Sequence, residues 1–244
     1  MKALIISDIH LRWKIVDRIL NTVKADRVVF LGDLFDQFND TPGATKEMAE
    51  WVKKVASRDD VEFLFGNHDV PYWQPSHACH WCPGFSYDKS RIINDIIPSK
   101  LWETKWNFVW FEQGWTLSHA GFHKHALPCY PDMDVVDQAY IARAADEAFG
   151  NIMEFRNHPI LHQGTRMGSV HVGGCTWLDW GDFEPIGELN QIVGHSPRRT
   201  VVCKHLSEDG KIITQGNIHS LLKEHSYENL EGLFLNLTGK EYRD

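Results

Sequence analysis

Val28-Val29-Phe30-Leu31-Gly32-Asp33 is an apolar run that stops abruptly at a glycine and a carboxylate. A short run of this kind predicts a strand buried on both faces, and such strands belong to parallel sheets. The same pattern stands on either side. Ala3-Leu4-Ile5-Ile6 ends at Ser7-Asp8, and the apolar stretch 61–65 ends at Gly66-Asn67. Between them Ile15, Val16, Ile19, Leu20 and Val23 recur at helical spacing, and 45–57 reads as a second helix with Met48, Trp51, Val52 and Val55 inward. Strand, helix, strand, helix, strand implies parallel pairing through right-handed crossovers. Three polar strand ends therefore meet at one edge of a sheet, where open α/β sheets hold their ligands.

The remainder is less regular. Residues 71–83, rich in aromatics, His, Cys and Pro, predict a long loop of the kind that covers or carries function. Strands are expected at 107–111 and 115–117, joined through Glu112-Gln113-Gly114, then an amphipathic helix over 134–155. Strands follow at 191–193, 200–206 and 211–214, with Asp209-Gly210 as a hairpin signal. No repeat, low-complexity tract or linker interrupts the chain, so residues 1–244 are expected to form a single α/β domain.

Composition limits the function classes. At 244 residues a chain buries most of its surface without disulfides, and the five Cys, an odd number scattered at 79, 82, 129, 175 and 203, suit a reducing compartment. Met1-Lys2 precedes too short an apolar run for a signal-peptide core, and no stretch is long enough to span a bilayer. The expectation is a soluble, cytoplasmic protein with no membrane partner. A net charge of -8 opposes any extended nucleic-acid surface, while 14 His raise the prospect of a metal.

Five clusters carry the chemistry: Asp8-Ile9-His10, Gly32-Asp33-Leu34-Phe35-Asp36, Gly66-Asn67-His68-Asp69, Ser118-His119-Ala120-Gly121 and Gly194-His195-Ser196-Pro197. Taken singly, each reads as readily as a turn, a helix start or a core histidine. As donors, carboxylate, imidazole and amide oxygen suit Mn, Fe, Ni, Zn or Co, with no thiolate in the set. In an extended segment residues 8 and 10 point to one side and can reach one ion, and the two oxygens of Asp33 can bridge two. Asp69 is expected to shape its own turn.

Together, and in this order, the clusters resemble the calcineurin-like metallophosphoesterases, whose signature is D-x-H, GD-x-x-D, GNH-D/E, a later His and a GH pair. The resemblance covers residues 8–197. It implies an αββα sandwich of two mixed β-sheets flanked by helices. It implies two divalent ions, with manganese expected and Fe, Zn, Ni or Co as alternatives. The first would rest on Asp8, His10 and Asp33, the second on Asp33, Asn67, His119 and His195. Ions about 3.5–4 Å apart would present a bridging hydroxide for direct attack on a phosphate ester. By the same resemblance His68 protonates the leaving oxygen while Asp36 orients its ring.

Pro197 stands where nuclease-like members carry a further His, which places the chain nearest the protein Ser/Thr phosphatase and bis(5'-nucleosyl)-tetraphosphatase branch. That branch has Arg where this chain has Gln37 and Phe65. Arg143, Arg166, Arg198, Arg199, His123 and His125 are the substitutes for gripping phosphate, with Arg166 and His123 as substrate-binding candidates. The expected activity is that of a phosphomonoesterase on a phosphorylated protein. A dinucleoside polyphosphate pyrophosphohydrolase acting on a nucleotide is the alternative, ahead of a phosphodiesterase. A silent metal-binding module would need the ligands but neither His68 nor Asp36.

Three further features are weighed separately. His77, Cys79, His80 and Cys82 form a second possible metal cluster, with loop packing as the default. Trp177 and Trp180 are candidates to line the cleft or to pack in the core. Cys129, Cys175 and Cys203 are expected in the core.

Overall fold

The computed structural model describes residues 2–197, together with the backbone of 202–206 and 212–217. They fall into two compact units, Met1–Ser196 and Pro197–Asp244. In the first unit β1 (Ala3–Ile6), β2 (Arg27–Phe30) and β3 (Val61–Leu64) lie parallel, and β4 (Trp106–Asn107) completes a four-stranded sheet in that order. Ile6 pairs with Phe30 and Phe30 with Phe63, so the three strands end level. The crossovers run through α1 (Trp13–Thr22) and α2 (Pro42–Ala56). α2 starts ahead of its apolar periodicity because the Thr41 hydroxyl accepts from Ala44 N (3.2 Å) and Pro42 occupies a first-turn position where no N–H is needed.

Alternation along β2 sorts its side chains between two layers. Val28 and Phe30 join the large core beneath the helices, whereas Val29 and Leu31 face a second sheet. That sheet contains β5 (Trp110–Glu112), β6 (Trp115–Leu117) and β7 (Asn190–Ile192), with β5 antiparallel and β7 parallel to β6. Trp110, Trp115, Leu117 and Ile192 meet Val29, Leu31 and Leu64 between the sheets. On the outer face Thr116 accepts from Gln138 (3.4 Å) at the start of α6 (Gln138–Met153). Two sheets flanked by helices agree with the expected class; the second sheet is mixed and the first is parallel throughout its strands.

The single strand expected over 107–111 is cut in two. Trp106–Asn107 pairs with β3, and Trp110–Glu112 begins the second sheet, so Phe108 and Val109 carry the chain across. An apolar run reads alike whether it serves one sheet or two. The expected loop 71–83 holds α3 (Val70–Trp73) and a turn of 3-10 helix at Ala78–His80. After it come α4 (Tyr87–Ile96), capped by Ser86, and α5 (Ser99–Lys105), both outside the elements expected from sequence. α6 begins later than expected, where the Asp137 carboxylate accepts from Tyr140 N (2.9 Å). In the second unit β8 (Val202–Leu206) and β9 (Ile212–Asn217) pair antiparallel, and Asp209-Gly210 lies outside the described residues. Among the described residues no helix is long and apolar enough to cross a membrane.

An aromatic stack anchors α5 beneath the first sheet. Trp102 is fully buried, with its ring centroid 4.5 Å from Trp106 and 6.0 Å from Phe65, and Phe65 lies 4.6 Å from Trp73. Truncation here leaves a cavity that rigid neighbouring rings cannot fill. Trp102→Ala is expected to cost about 3–5 kcal/mol in urea unfolding. A loss below about 1 kcal/mol would show that the stack collapses onto the gap.

Candidate metal centre

The level strand ends lead directly into left-handed backbone. Asp8 (φ 54°), His10 (43°), Leu11 (65°), Asp33 (54°), Asp36 (63°) and His195 (65°) all occupy the region that side chains disfavour, at about 1–2 kcal/mol each. Such outliers gather where function demands them. Asp8 and His10 do converge, but through these turns and not through the alternation expected of an extended segment, because the strand has already ended at Ile6. The N–H groups of Asp8, His10 and Leu11 donate to the carbonyls of Gly32, Asp33 and Leu34 (3.1, 3.0 and 3.0 Å), laying the first loop along the second.

A buried carboxylate fastens the second loop to the third. Asp69 Oδ2 accepts from Asp33 N (2.8 Å) and Gly66 N (3.0 Å), while Oδ1 accepts from Leu34 N (2.9 Å). Through Gly66 N, Asp69 shapes its own turn as expected, and through Asp33 N and Leu34 N it also ties two strand ends together. Burial and the adjacent Asp33 charge push its carboxyl up to about 7, against the pull of the backbone donors. Gly32 (φ 103°) and Gly66 allow the approach, since a Cβ on either would overlap the opposite loop. Asp33 Oδ1 in turn accepts from His68 N (2.9 Å).

The other Asp33 oxygen, Oδ2, lies 3.7 Å from His10 Nε2 and 3.3 Å from His119 Nε2. His119 Nε2 is also 3.2 Å from Asn67 Oδ1 and 3.1 Å from His195 Nδ1. The opposite ring nitrogens fix the tautomers. His119 Nδ1 donates to Leu31 O (2.9 Å) and His10 Nδ1 to Asp36 O (2.8 Å), so each Nε2 faces the other acceptors, where His119 carries a proton that a metal can replace. Acceptors repel one another unless a cation lies among them, and ligands at 2.0–2.2 Å from one ion stand about 3–3.4 Å apart. His195 Nε2 is buried without a partner. The donor atoms of Asp8, His10 and Asp33 lie within 4.8 Å of one another, as do those of Asp33, His119 and His195. These residues fit divalent metal.

His119 and His195 arrive from the second sheet, just after β6 and β7. His195 N donates to Asp8 Oδ2 (3.0 Å), and a Cβ on Gly194 would overlap Ser7 and Asp8. Burial alone would raise the Asp33 carboxyl, but His119, His68 and His10 hold it below the usual range. Burial alone would lower His119, yet Asp33 and Asp8 lift it to about 9, while burial and the His119 charge press His195 down to about 3.

Beside this cluster, His68 Nδ1 lies 2.9 Å from Asp36 Oδ2 and 3.3 Å from Cys82 Sγ. Asp36 Oδ1 accepts from Lys89 Nζ (2.6 Å) and from the Tyr72 hydroxyl. Burial opposes the charge on His68, but Asp36 and Cys82 lift it to about 11. Burial also opposes the Asp36 carboxylate, and His68, Lys89 and Tyr72 outweigh it, so its pKa falls. The rings of His10 and His68 are 5.2 Å apart, which sets the dyad against the first ligand group. Tyr72 and Lys89 belong to no motif, and Cys82, expected with His77, Cys79 and His80 in a second cluster, turns instead to His68.

A family model described as calcineurin-like phosphoesterase matches residues 1–205. The chain belongs to that family. No curated protein matches it. Among solved structures it is similar to a cold-active protein tyrosine phosphatase determined at 1.1 Å, with 15% identity, a TM-score of 0.38 and coverage of 72% of this chain and 55% of that one. It is also similar to a metallophosphoesterase from Sphaerobacter thermophilus, with 21% identity, a TM-score of 0.33 and coverage of 61% and 56%. The chain thus spans a little over half the length of each.

The remaining candidates of the sequence are distributed unevenly. Arg166 is paired with Asp179 (2.9 and 2.5 Å), which also accepts from the Ser196 hydroxyl (3.2 Å) beside His195. His123 is buried with Nε2 3.5 Å from Glu184 and Nδ1 accepting from His125 N (3.2 Å). Arg143 is held by Asp132 and Glu147 over the Tyr130 ring, and Arg198 and Arg199 lie outside the described residues. Phe65 is in the aromatic stack, so no phosphate-binding group occupies that position, and Gln37 is exposed. Trp177 is buried 5.9 Å from the His195 ring, and Trp180 stacks on Phe183 at 5.3 Å. Cys175 is buried as expected, Cys129 is exposed because its loop lies at the surface, and the side chain of Cys203 is outside the described residues.

Asp69→Asn tests the loop junction without touching a ligand. An amide NH₂ would face a backbone N–H where an oxygen now accepts. The variant is expected to lose about 1–3 kcal/mol in urea unfolding and to retain less metal by elemental analysis. Unchanged stability and metal content would show that the tie is dispensable.

Proposed function

We propose that this phosphoesterase is a two-metal phosphomonoesterase of the protein Ser/Thr phosphatase type, acting in the cytoplasm with manganese as the expected metal. One observation carries the two-metal reading: Asp33 Oδ2 stands between the Nε2 atoms of His10 and His119, so a single carboxylate is common to both ligand groups. Asp8, His10 and Asp33 would hold one ion, and Asp33, Asn67, His119 and His195 the other. When bound, the ions supply an acidified water and draw charge from the phosphoryl oxygens. The four described cysteines are free, which supports a reducing compartment.

The chain's own groups handle the leaving side. Asp36 engages His68 Nδ1, leaving Nε2 to give its proton to the alkoxide oxygen as the P–O bond breaks. Lys89 and Tyr72 hold Asp36 in place, so the ring is aimed before substrate arrives. Arg166, beside the His195 loop, is the proposed phosphate-gripping cation, released from Asp179 when substrate binds.

Chelation is expected to abolish hydrolysis of phosphoserine peptides, and manganese to restore it; full activity after exhaustive chelation would remove the metal from the mechanism. A preference for dinucleoside polyphosphates under the same conditions would replace the monoester reading with a pyrophosphohydrolase.

His68→Asn should keep both metals and lower turnover roughly 10²–10⁴-fold on an alkyl phosphate, the scale of a lost general acid. The defect should shrink on an aryl phosphate, whose phenolate leaves without protonation. Asp36→Asn should follow the same trend more weakly. Loss of a metal, or equal impairment on both substrates, would assign His68 to ligation or phosphate binding instead.

A further inference from the structure

We propose that His77, Cys79 and His80 form a separate zinc site, outside the catalytic centre, with Asn157 placed as the fourth ligand. The nitrogen, sulfur and nitrogen donors lie within 4.8 Å of one another on a single turn ending in the 3-10 helix Ala78–His80. Tetrahedral zinc with bonds of about 2.0–2.3 Å needs donors about 3.3–3.6 Å apart, a closure of about 1 Å. Side-chain rotation supplies that much.

Loop packing alone leaves these groups unexplained. His80 is 5% exposed and its Nε2 is buried without a partner, and His77 Nδ1 is likewise shut from solvent with none. The two rings meet edge to face at 4.5 Å. Cys79 is exposed, and its Sγ lies 3.1 Å from Asn157 Oδ1, which sets an oxygen donor beside the thiol. A cleft of about 180 Å³ beside them, walled by Asn157, His158, His162 and His171, gives an ion a way in. On binding, the Cys79 thiol gives its proton to water and the thiolate takes the metal.

Two imidazoles, a thiolate and an amide oxygen form a borderline-soft set that suits zinc, in contrast to the thiolate-free catalytic donors. The ion would join the loop at 77–80 to Asn157, beyond the end of α6. That loop continues to Cys82, the thiol against His68, so the site would brace one wall of the proton-donor pocket.

Cobalt distinguishes this site from the catalytic one, because cobalt bound to a thiolate shows a near-ultraviolet charge-transfer band. Metal-stripped full-length protein should develop the band on adding Co(II), and zinc should quench it. The band should disappear in Cys79→Ser, whose exposed position leaves the fold unchanged by circular dichroism, and persist in Cys82→Ser and Asp33→Asn. Zinc content of Cys79→Ser/His80→Ala should fall by one equivalent per chain. A missing band in the native sequence, survival of the band in Cys79→Ser, or its loss in Cys82→Ser or Asp33→Asn overturns the proposal.

Discussion

The Asp69 carboxylate accepts three backbone N–H groups drawn from two different loops, and the placing of the candidate ligands Asp33 and Asn67 depends on that junction. Where parallel strands end, their N–H groups lose ladder partners, and leaving them buried and unpaired is costly. One carboxylate satisfies three of them at once. In doing so it draws Gly32 and Gly66 into a separation that no Cβ would permit, and it aims Asp33 into the gap between the sheets. The left-handed conformation of Asp33 is held by this pairing against its own preference.

Polarity at the centre follows from the same constraint. Asp33, Asp69, Asn67, His119 and His195 are buried together, and His119 turns Nε2 inward because its Nδ1 is already committed to the Leu31 carbonyl. A cluster so arranged is selective for a compact cation. The Asp36–His68 pair is built on the opposite logic, with Lys89, Tyr72 and Cys82 surrounding a carboxylate that needs no metal. Two adjacent sets of carboxylate and imidazole thus have different chemistry because their outer partners differ.

Much of this was readable in the sequence, for physical reasons. β2 and β3 are largely buried on both faces, β1 is half-buried, and the three alternate with amphipathic helices, so their apolar runs are conspicuous and their polar ends stand out. The ligand residues stand in short motifs because each strand end supplies its own. What could not be read depends on tertiary approach. Nothing local shows that Asp8, His10 and Asp33 adopt positive φ, since non-glycine residues carry no mark of it. Nor does the sequence show that Tyr72 and Lys89 converge on Asp36, or that the run through Phe108 divides between two sheets.

Asp8 and His195 share a hydrogen bond across 187 positions of sequence. During synthesis the carboxylates of Asp8 and Asp33, with His10 and Asn67, leave the ribosome first, and the two imidazoles of the second sheet follow much later. No nascent chain that stops short of His195 holds the full donor set. Partial sets bind divalent ions weakly, so metals met early are released again. An ion held by the full set would therefore be taken up after both sheets are in place, and would reflect the metal pool met at that stage.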